Sequence, residues 1–308
     1  MDNVVLAADL GGTNLRIAAV NDSGQILRLT KRPTPSAVSP KQLIALIDEM
    51  AKVCCEAMSA GSKLGGVAFT APAPVSKNFD GILTKVPNIP SLVGMNLKAD
   101  LEQLFKLPVI IENDATAAGI GENWIGASQG VETSICVTLG TGIGGGIIIN
   151  GEPIRGKDGI GGEIGHICVE PEGHPCKCGS YGCVEQYASA TAIERLAFEV
   201  GLGTKTSAEV FEAFLNGDER SAQVFEKMGR YLGLMLAGLA NALNPEMIVI
   251  CGGVTAGWDA FAGHVEAEIS KRAYAAAAKR AKVVKGELGD NAGILGAARS
   301  AFLLQAIR

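Results

Sequence analysis

Two segments of this chain are written in the same grammar, and that repetition constrains the fold more than any other feature. Val4–Leu10 is a short apolar run with Asp9 near its end; Gly11-Gly12-Thr13 follow as a tight turn, and Leu15–Val20 read as a second strand. Much later, Ser134–Leu139, Gly140-Thr141-Gly142 and Ile143–Asn150 repeat strand, turn and strand. Further buried strands are expected at Val67–Thr70, Val109–Ile111 and Met247–Ile250. Between them lie helical patterns. Ser39 as cap and Pro40 at the first helical position start one to about Ser59, and Leu97–Phe105 is a second. Thr191-Ala192-Ile193-Glu194 reads as a capping box for a helix stopping at Gly201. A last helix is expected from about Ile294 to Arg308, apolar on one face. Strands alternating with helices, twice over, predict an internally duplicated α/β fold. The length, 308 residues, fits two lobes of about 150 residues each. No linker rich in Ser, Pro or charge separates them, so closely joined lobes are expected.

Composition removes several classes of function. Lys and Arg number 27 against 32 Asp and Glu, a net charge of −5. That balance argues against a general nucleic-acid or anionic-membrane binder. The uncharged stretch most suggestive of a membrane helix, Tyr231 to Pro245, is too short to span a bilayer and carries Asn241 and Asn244, so it reads as a buried helix. Met1-Asp2-Asn3 lacks the basic flank and apolar core of a signal peptide. With eight cysteines in so long a chain, a reducing, cytoplasmic setting is expected. Cys54, Cys55, Cys136 and Cys168 read as core residues, and His264 as a surface one.

The 40 glycines are about 13% of the chain, against a usual share of about 7%. Fourteen of them fall between Gly140 and Gly182. Leu139-Gly140-Thr141-Gly142-Ile143-Gly144-Gly145-Gly146 holds five glycines in eight residues. A hairpin needs one or two, so five imply backbone exposed to a ligand, and phosphate fits. Gly11 and Gly12 admit the same reading, with Thr13 beyond them and Asp9 able to hold Mg²⁺ through water. A plain hairpin turn explains that first motif equally well. Cys251-Gly252-Gly253-Val254 follows a buried strand; it could carry a nucleotide base or ribose, and a simple strand-end turn is the plainer explanation. Glu112-Asn113-Asp114 also ends a strand, where open α/β sheets place their sites. Asp114 there could act as a general base toward a hydroxyl with Asn113 orienting the same substrate, or Asp114 could merely cap the next helix.

The strongest local signal is Gly162-Glu163-Ile164-Gly165-His166 followed by Cys176, Cys178 and Cys183. Three cysteines in eight residues with an upstream histidine make a Cys₃His set suited to structural Zn²⁺. His166 is preferred as the fourth ligand because Glu163 and His166 share one Gly-rich element; His174 is the rival. Cys-X-Cys spacing is not that of a nucleic-acid finger.

In combination these motifs resemble the ROK sugar kinases (repressors, open reading frames and kinases), from Asp9 to about Gly296. Within that family they look most similar to the zinc-containing, ATP-dependent glucokinases of bacteria. The resemblance implies a duplicated actin-like ATPase (ribonuclease H-like) fold, two lobes around a cleft that close on the sugar. The expected division is residues 1–114 plus 292–308 as a small N-terminal lobe, and 115–291 as a large C-terminal lobe carrying the zinc loop. Asp114 matches the catalytic base for the sugar's primary hydroxyl. Asn88, Asn113, Glu163, His166 and Glu185 match sugar contacts, His166 using its other ring nitrogen on zinc. Asp9, Gly11, Gly12, Thr13, Gly140, Thr141, Gly142, Gly252 and Gly253 would hold ATP and its Mg²⁺. The implied reaction is formation of glucose 6-phosphate, with glycolysis as its setting and a homodimer or tetramer as the assembly. Ala73, where relatives commonly show Gly, and Leu92, where many carry Trp, depart from the pattern near the expected sugar side.

Three alternatives are weighed. Another hexose, N-acetylmannosamine or fructose, would use the same machinery. A non-catalytic sugar-sensing regulator of the family would carry a helix-turn-helix ahead of the first phosphate motif, and only eight residues precede Asp9. A filament or chaperone ATPase would have no use for a hydroxyl-reading wall.

Overall fold

A computed structural model describes residues 3–11, 13–34, 37–71, 81–83 and 89–306. The strands are β1 (Asn3–Leu10), β2 (Asn14–Asn21), β3 (Ile26–Pro33), β4 (Lys63–Ala71), β5 (Val109–Asn113), β6 (Ser134–Leu139), β7 (Ile143–Ile149), β8 (Glu152–Pro153), β9 (Met247–Cys251) and β10 (Lys282–Lys285). The helices are α1 (Pro40–Cys55), α2 (Leu97–Phe105), α3 (Asp114–Ile125), α4 (Glu185–Ala188), α5 (Ala190–Glu199), α6 (Ser207–Leu215), α7 (Glu219–Leu243), α8 (Trp258–Arg272), α9 (Ala275–Arg280) and α10 (Ala292–Ala306).

The duplication is explicit in the sheets. One runs β3-β2-β1-β4-β5 and the other β10-β9-β6-β7-β8, the same order read from opposite ends. In each, the first strand pairs antiparallel with the second (β1 with β2, β6 with β7) and parallel with the strand after the crossover (β1 with β4, β6 with β9). Asp9 stands opposite Thr70 in the first sheet, and Thr138 opposite Cys251 in the second.

The chain forms two compact units: residues 1–129, 153–161 and 290–308, and residues 130–152 and 162–289. This differs from the division expected above, because α3 and the segment 153–161 belong to the first unit. The cause is close packing of α3 on α10. A Cβ on Gly121 would lie 2.3 Å from the Ala292 carbonyl oxygen, and one on Gly296 would lie 1.7 Å from that of Ala117. Only glycine lets two helix backbones approach so closely.

Each unit has its own core. Leu6, Ile17, Leu43, Ile47 and Phe69 belong to the first, and Val137, Leu196, Phe225, Leu236 and Phe261 to the second. α1 starts as its sequence dictates, with Ser39 and Gln42 closing a capping box and Leu43, Ile47, Met50 and Cys54 buried on one face. α7 absorbs the long uncharged stretch and ends at Asn244, which is left-handed (φ 46) just before Pro245. Among the described residues no helix is long and apolar enough to cross a membrane. Two expectations are corrected. α5 is capped by Ser189, whose hydroxyl accepts from Ala192 N at 3.1 Å, while the Thr191 hydroxyl is used elsewhere. Cys168 is exposed rather than in the core. Leu92 is fully buried in the first core.

Candidate active site

In the first unit, β1 delivers Asp9 to the mouth of the glycine turn. The fully buried Thr70 donates its hydroxyl to Asp9 Oδ1 at 2.6 Å, fixing the carboxylate's rotation. Gly11 N donates to Asn14 O at 3.0 Å, and Thr34 ties down the far side through Thr34 N to Thr13 O (2.9 Å) and its hydroxyl to Gly11 O (3.2 Å). Thr13 itself is exposed. Gly12 lies outside the described residues, as do Asn88 and Ala73.

The triplet after β5 divides its labour. Glu112 is 2% exposed and takes a two-pronged ion pair from Arg155, Nη2 to Oε2 at 2.6 Å and Nε to Oε1 at 3.2 Å. Asn113 is the helix cap: its Oδ1 accepts from both Ala115 N and Thr116 N at 3.0 Å. Asp114, the first residue of α3, is exposed, with Oδ1 accepting from Ala115 N at 2.8 Å. The capping role considered for Asp114 thus falls chiefly to its neighbour. Arg155 was not legible as a partner, because only the fold brings residue 155 to residue 112.

In the second unit the glycine-rich run has two uses. A Cβ on Gly140 would meet nothing within 4 Å, so its side-chain face is open, while its N–H donates to Gly142 O at 3.0 Å and its carbonyl accepts from Ala190 N at 2.8 Å. Gly142 and Gly145 instead make room for protein. Gly142 faces Glu185, whose Oε2 would lie 2.3 Å from an added Cβ and accepts from Ile143 N at 2.9 Å. Gly145 lies under the loop that leads to Glu163, with the Gly162 carbonyl 2.5 Å from where a Cβ would be. Five glycines therefore do not all mean phosphate. After β9, Gly252 adopts φ +93 against the Leu139 carbonyl, and Gly253 is open. Beside Gly253 is a cavity of about 110 Å³, lined among others by Ile193, Ser207, Phe211, Phe225 and Val254.

The ligand atoms of His166, Cys176, Cys178 and Cys183 all lie within 4.8 Å of one another. Cys176 Sγ is 3.6 Å from His166 Nδ1, and Cys178 Sγ is 3.6 Å from Cys183 Sγ. A tetrahedron on Zn–S and Zn–N bonds of about 2.3 and 2.1 Å has edges of about 3.5–3.8 Å, so the set fits Zn²⁺. Burial first, then the neighbouring thiols, pushes the Cys183 thiol up to about 12. A backbone hydrogen bond from Ser180 contributes most to holding the exposed Cys178 thiol below its usual value. Thiols packed this closely oppose one another's ionisation, a cost that a divalent cation reverses. Gln186 Nε2 points at Cys176 Sγ from 3.7 Å as an outer support. The rival His174 turns away: its Nε2 is 3.9 Å from Glu199 and its ring packs on Tyr187. With Nδ1 toward the thiols, His166 keeps Nε2 for the exposed side, 3.8 Å from Glu163 Oε2.

Repeated sheet order and paired glycine turns define the class: a duplicated α/β protein of the actin-like ATPase, ribonuclease H-like fold. Within that class the chain belongs to the ROK family, which it matches over residues 5–302. It is 36% identical to a glucokinase of Halalkalibacterium halodurans, over 96% of this chain and 94% of that one. Among solved structures it resembles a ROK hexokinase of Thermus thermophilus (TM-score 0.87, 31% identity, 99% of this chain and 100% of the other). It also resembles a ROK family glucokinase of Streptomyces griseus in complex with glucose and AMPPNP (TM-score 0.79, 32% identity, 97% and 99%).

Proposed function

We propose that this protein is a glucokinase, transferring the γ-phosphoryl group of ATP to the 6-hydroxyl of glucose. The observation that carries the reading is the division of labour after β5. Glu112 is paired with Arg155 and Asn113 Oδ1 with the helix, and Asp114 stands at the head of α3 as an exposed carboxylate.

In the first unit, Asp114 takes the proton from the sugar hydroxyl as its oxygen bonds to the γ-phosphorus and the bond to the departing ADP oxygen breaks. Asn113 offers its amide NH₂ to the same sugar, since its oxygen is committed. Asn88 is a further sugar contact. Gly11, Gly12 and Thr13 meet the phosphates, and Asp9, oriented by Thr70, is the residue that would hold Mg²⁺ through water. Bound there, Mg²⁺ would supply charge neutralisation on the transferring phosphoryl group.

In the second unit, Gly140-Thr141-Gly142 meets phosphate on the open face of Gly140, and the cavity beside Gly253 takes the base between Ile193 and the phenylalanines. Glu163, His166 and Glu185 read ring hydroxyls. Zn²⁺ on His166, Cys176, Cys178 and Cys183 would stiffen the loop that carries them. We take the working assembly to be a homodimer, with a tetramer as the alternative that sedimentation separates. The setting is cytoplasmic, consistent with ATP as donor and eight unbridged cysteines.

The test is Asp114→Ala in a coupled ADP-release assay with a panel of hexoses. Turnover should fall by about 10²–10⁴-fold while calorimetric glucose binding stays near wild type. Near-normal turnover in the variant would remove Asp114 from the mechanism. A wild-type preference for N-acetylmannosamine or fructose over glucose would replace the sugar and keep the chemistry.

A further inference from the structure

The zinc loop and the second glycine turn were read above as separate devices, one for the sugar and one for phosphate. Hydrogen bonds join them. Two residues after the ligand Cys183, Glu185 accepts from Ile143 N through Oε2 at 2.9 Å, and Gly142 is bare because that oxygen occupies its side-chain space. Further on, Ala190 N donates to Gly140 O at 2.8 Å, and the Thr191 hydroxyl donates to Thr141 O at 2.9 Å. Gly140, Thr141 and Ile143, just past Gly142, are thus all held from the segment Glu185–Thr191. Glu185 is half-buried, and its Oε1 has no protein partner among the described residues.

We propose that Glu185 is a shared positioning residue: Oε2 holds the nucleotide turn in shape while Oε1 accepts a sugar hydroxyl, so one carboxylate couples sugar binding to nucleotide binding. This rests on the functional reading above and deepens it. A carboxylate accepts on both oxygens at once, whereas a carboxamide accepts on only one. Sugar on Oε1 fixes the side-chain torsions that Oε2 needs to meet Ile143 N. Ordering the carboxylate for one ligand removes that ordering cost for the other, which is positive coupling without a large movement. Thr191 supports the same turn but touches nothing assigned to sugar, so it separates turn support from coupling.

The measurement is the dissociation constant of Mg·AMPPNP by calorimetry, with and without saturating glucose, on zinc-loaded protein. For the wild type, glucose should tighten nucleotide binding by about 5-fold or more. In Glu185→Ala the nucleotide should bind about 10-fold more weakly even without glucose, and the glucose effect should vanish. Glu185→Gln should keep nucleotide affinity near wild type, because its amide oxygen can still accept from Ile143 N, and lose most of the coupling. Thr191→Val should weaken the nucleotide a few-fold and keep the coupling. Unchanged nucleotide affinity in Glu185→Ala, wild-type coupling in Glu185→Gln, or no coupling in the wild type would each overturn the shared role. If the wild type binds neither glucose nor Mg·AMPPNP, the functional reading itself fails, a result distinct from those three. Should Glu185→Ala not fold, Glu185→Gln and Thr191→Val decide the matter alone.

Discussion

The two glycine turns descend from one pattern and are built differently. The turn after β1 carries an acid at its mouth: Asp9, held by the Thr70 hydroxyl at 2.6 Å. At the matching place in the second sheet stands Thr138, opposite Cys251, with no carboxylate. The supports differ in the other direction. Among the described residues the first turn is tied by Asn14 and Thr34, whereas the second is held from α4 and α5 through Glu185, Ala190 and Thr191. Duplication supplied two glycine turns; only the first has a carboxylate at its mouth, and the second is braced by Glu185, Ala190 and Thr191.

That contrast can be broken at several points. The largest effect is expected from Asp9→Asn, which should lower kcat/KM by about 10²–10³-fold, while Thr138→Val at the matching position changes it little. Steady-state kinetics against Mg²⁺ concentration check this; equal effects would make the turns equivalent. Next is the metal. Cys178→Ser should abolish stoichiometric zinc by elemental analysis and lower the melting temperature by several degrees, at about 2–4 °C per kcal/mol for units of this size. One zinc per chain with unchanged melting would mean that the ligand set is wrongly drawn. A third comparison lies within the second turn. Gly142→Ala drives a Cβ into the Glu185 carboxylate and should weaken both nucleotide and glucose, whereas Gly140→Ala, with nothing within 4 Å, should leave stability intact and raise only the KM for ATP. Smallest is Thr70→Val, which removes one hydrogen bond at constant volume and should raise the Mg²⁺ requirement by about 10-fold or less, with Thr70→Ser restoring it.

Periodicity and turn chemistry were enough to place α1, α2, β6 and the duplicated sheets, because those elements are specified locally by caps, apolar spacing and glycine. The Cys₃His cluster was equally legible, since its ligands are close in sequence and their chemistry admits few uses. What the sequence could not carry were contacts made by distant segments. Arg155 reaches Glu112, Thr70 reaches Asp9, and the α3–α10 approach at Gly121 and Gly296 moves α3 into the first unit. Glycine was the subtlest case: Gly140 and Gly145 look identical in a sequence, yet one is bare toward solvent and the other toward a neighbouring loop. The capping residue of α5 was misplaced for a similar reason, as Ser189 and Thr191 are both good caps and only the fold gives Thr191 another partner in Thr141.

The central claim is that the chain phosphorylates a sugar at its primary hydroxyl with ATP as donor. Phosphorus NMR of the product formed from ATP, Mg²⁺ and glucose tests it most directly. The account predicts a single phosphomonoester signal coupled to the protons on carbon 6, appearing in step with ADP and growing about 10²–10⁴-fold more slowly with Asp114→Ala. Phosphate on another carbon, or inorganic phosphate released without sugar ester, would contradict it.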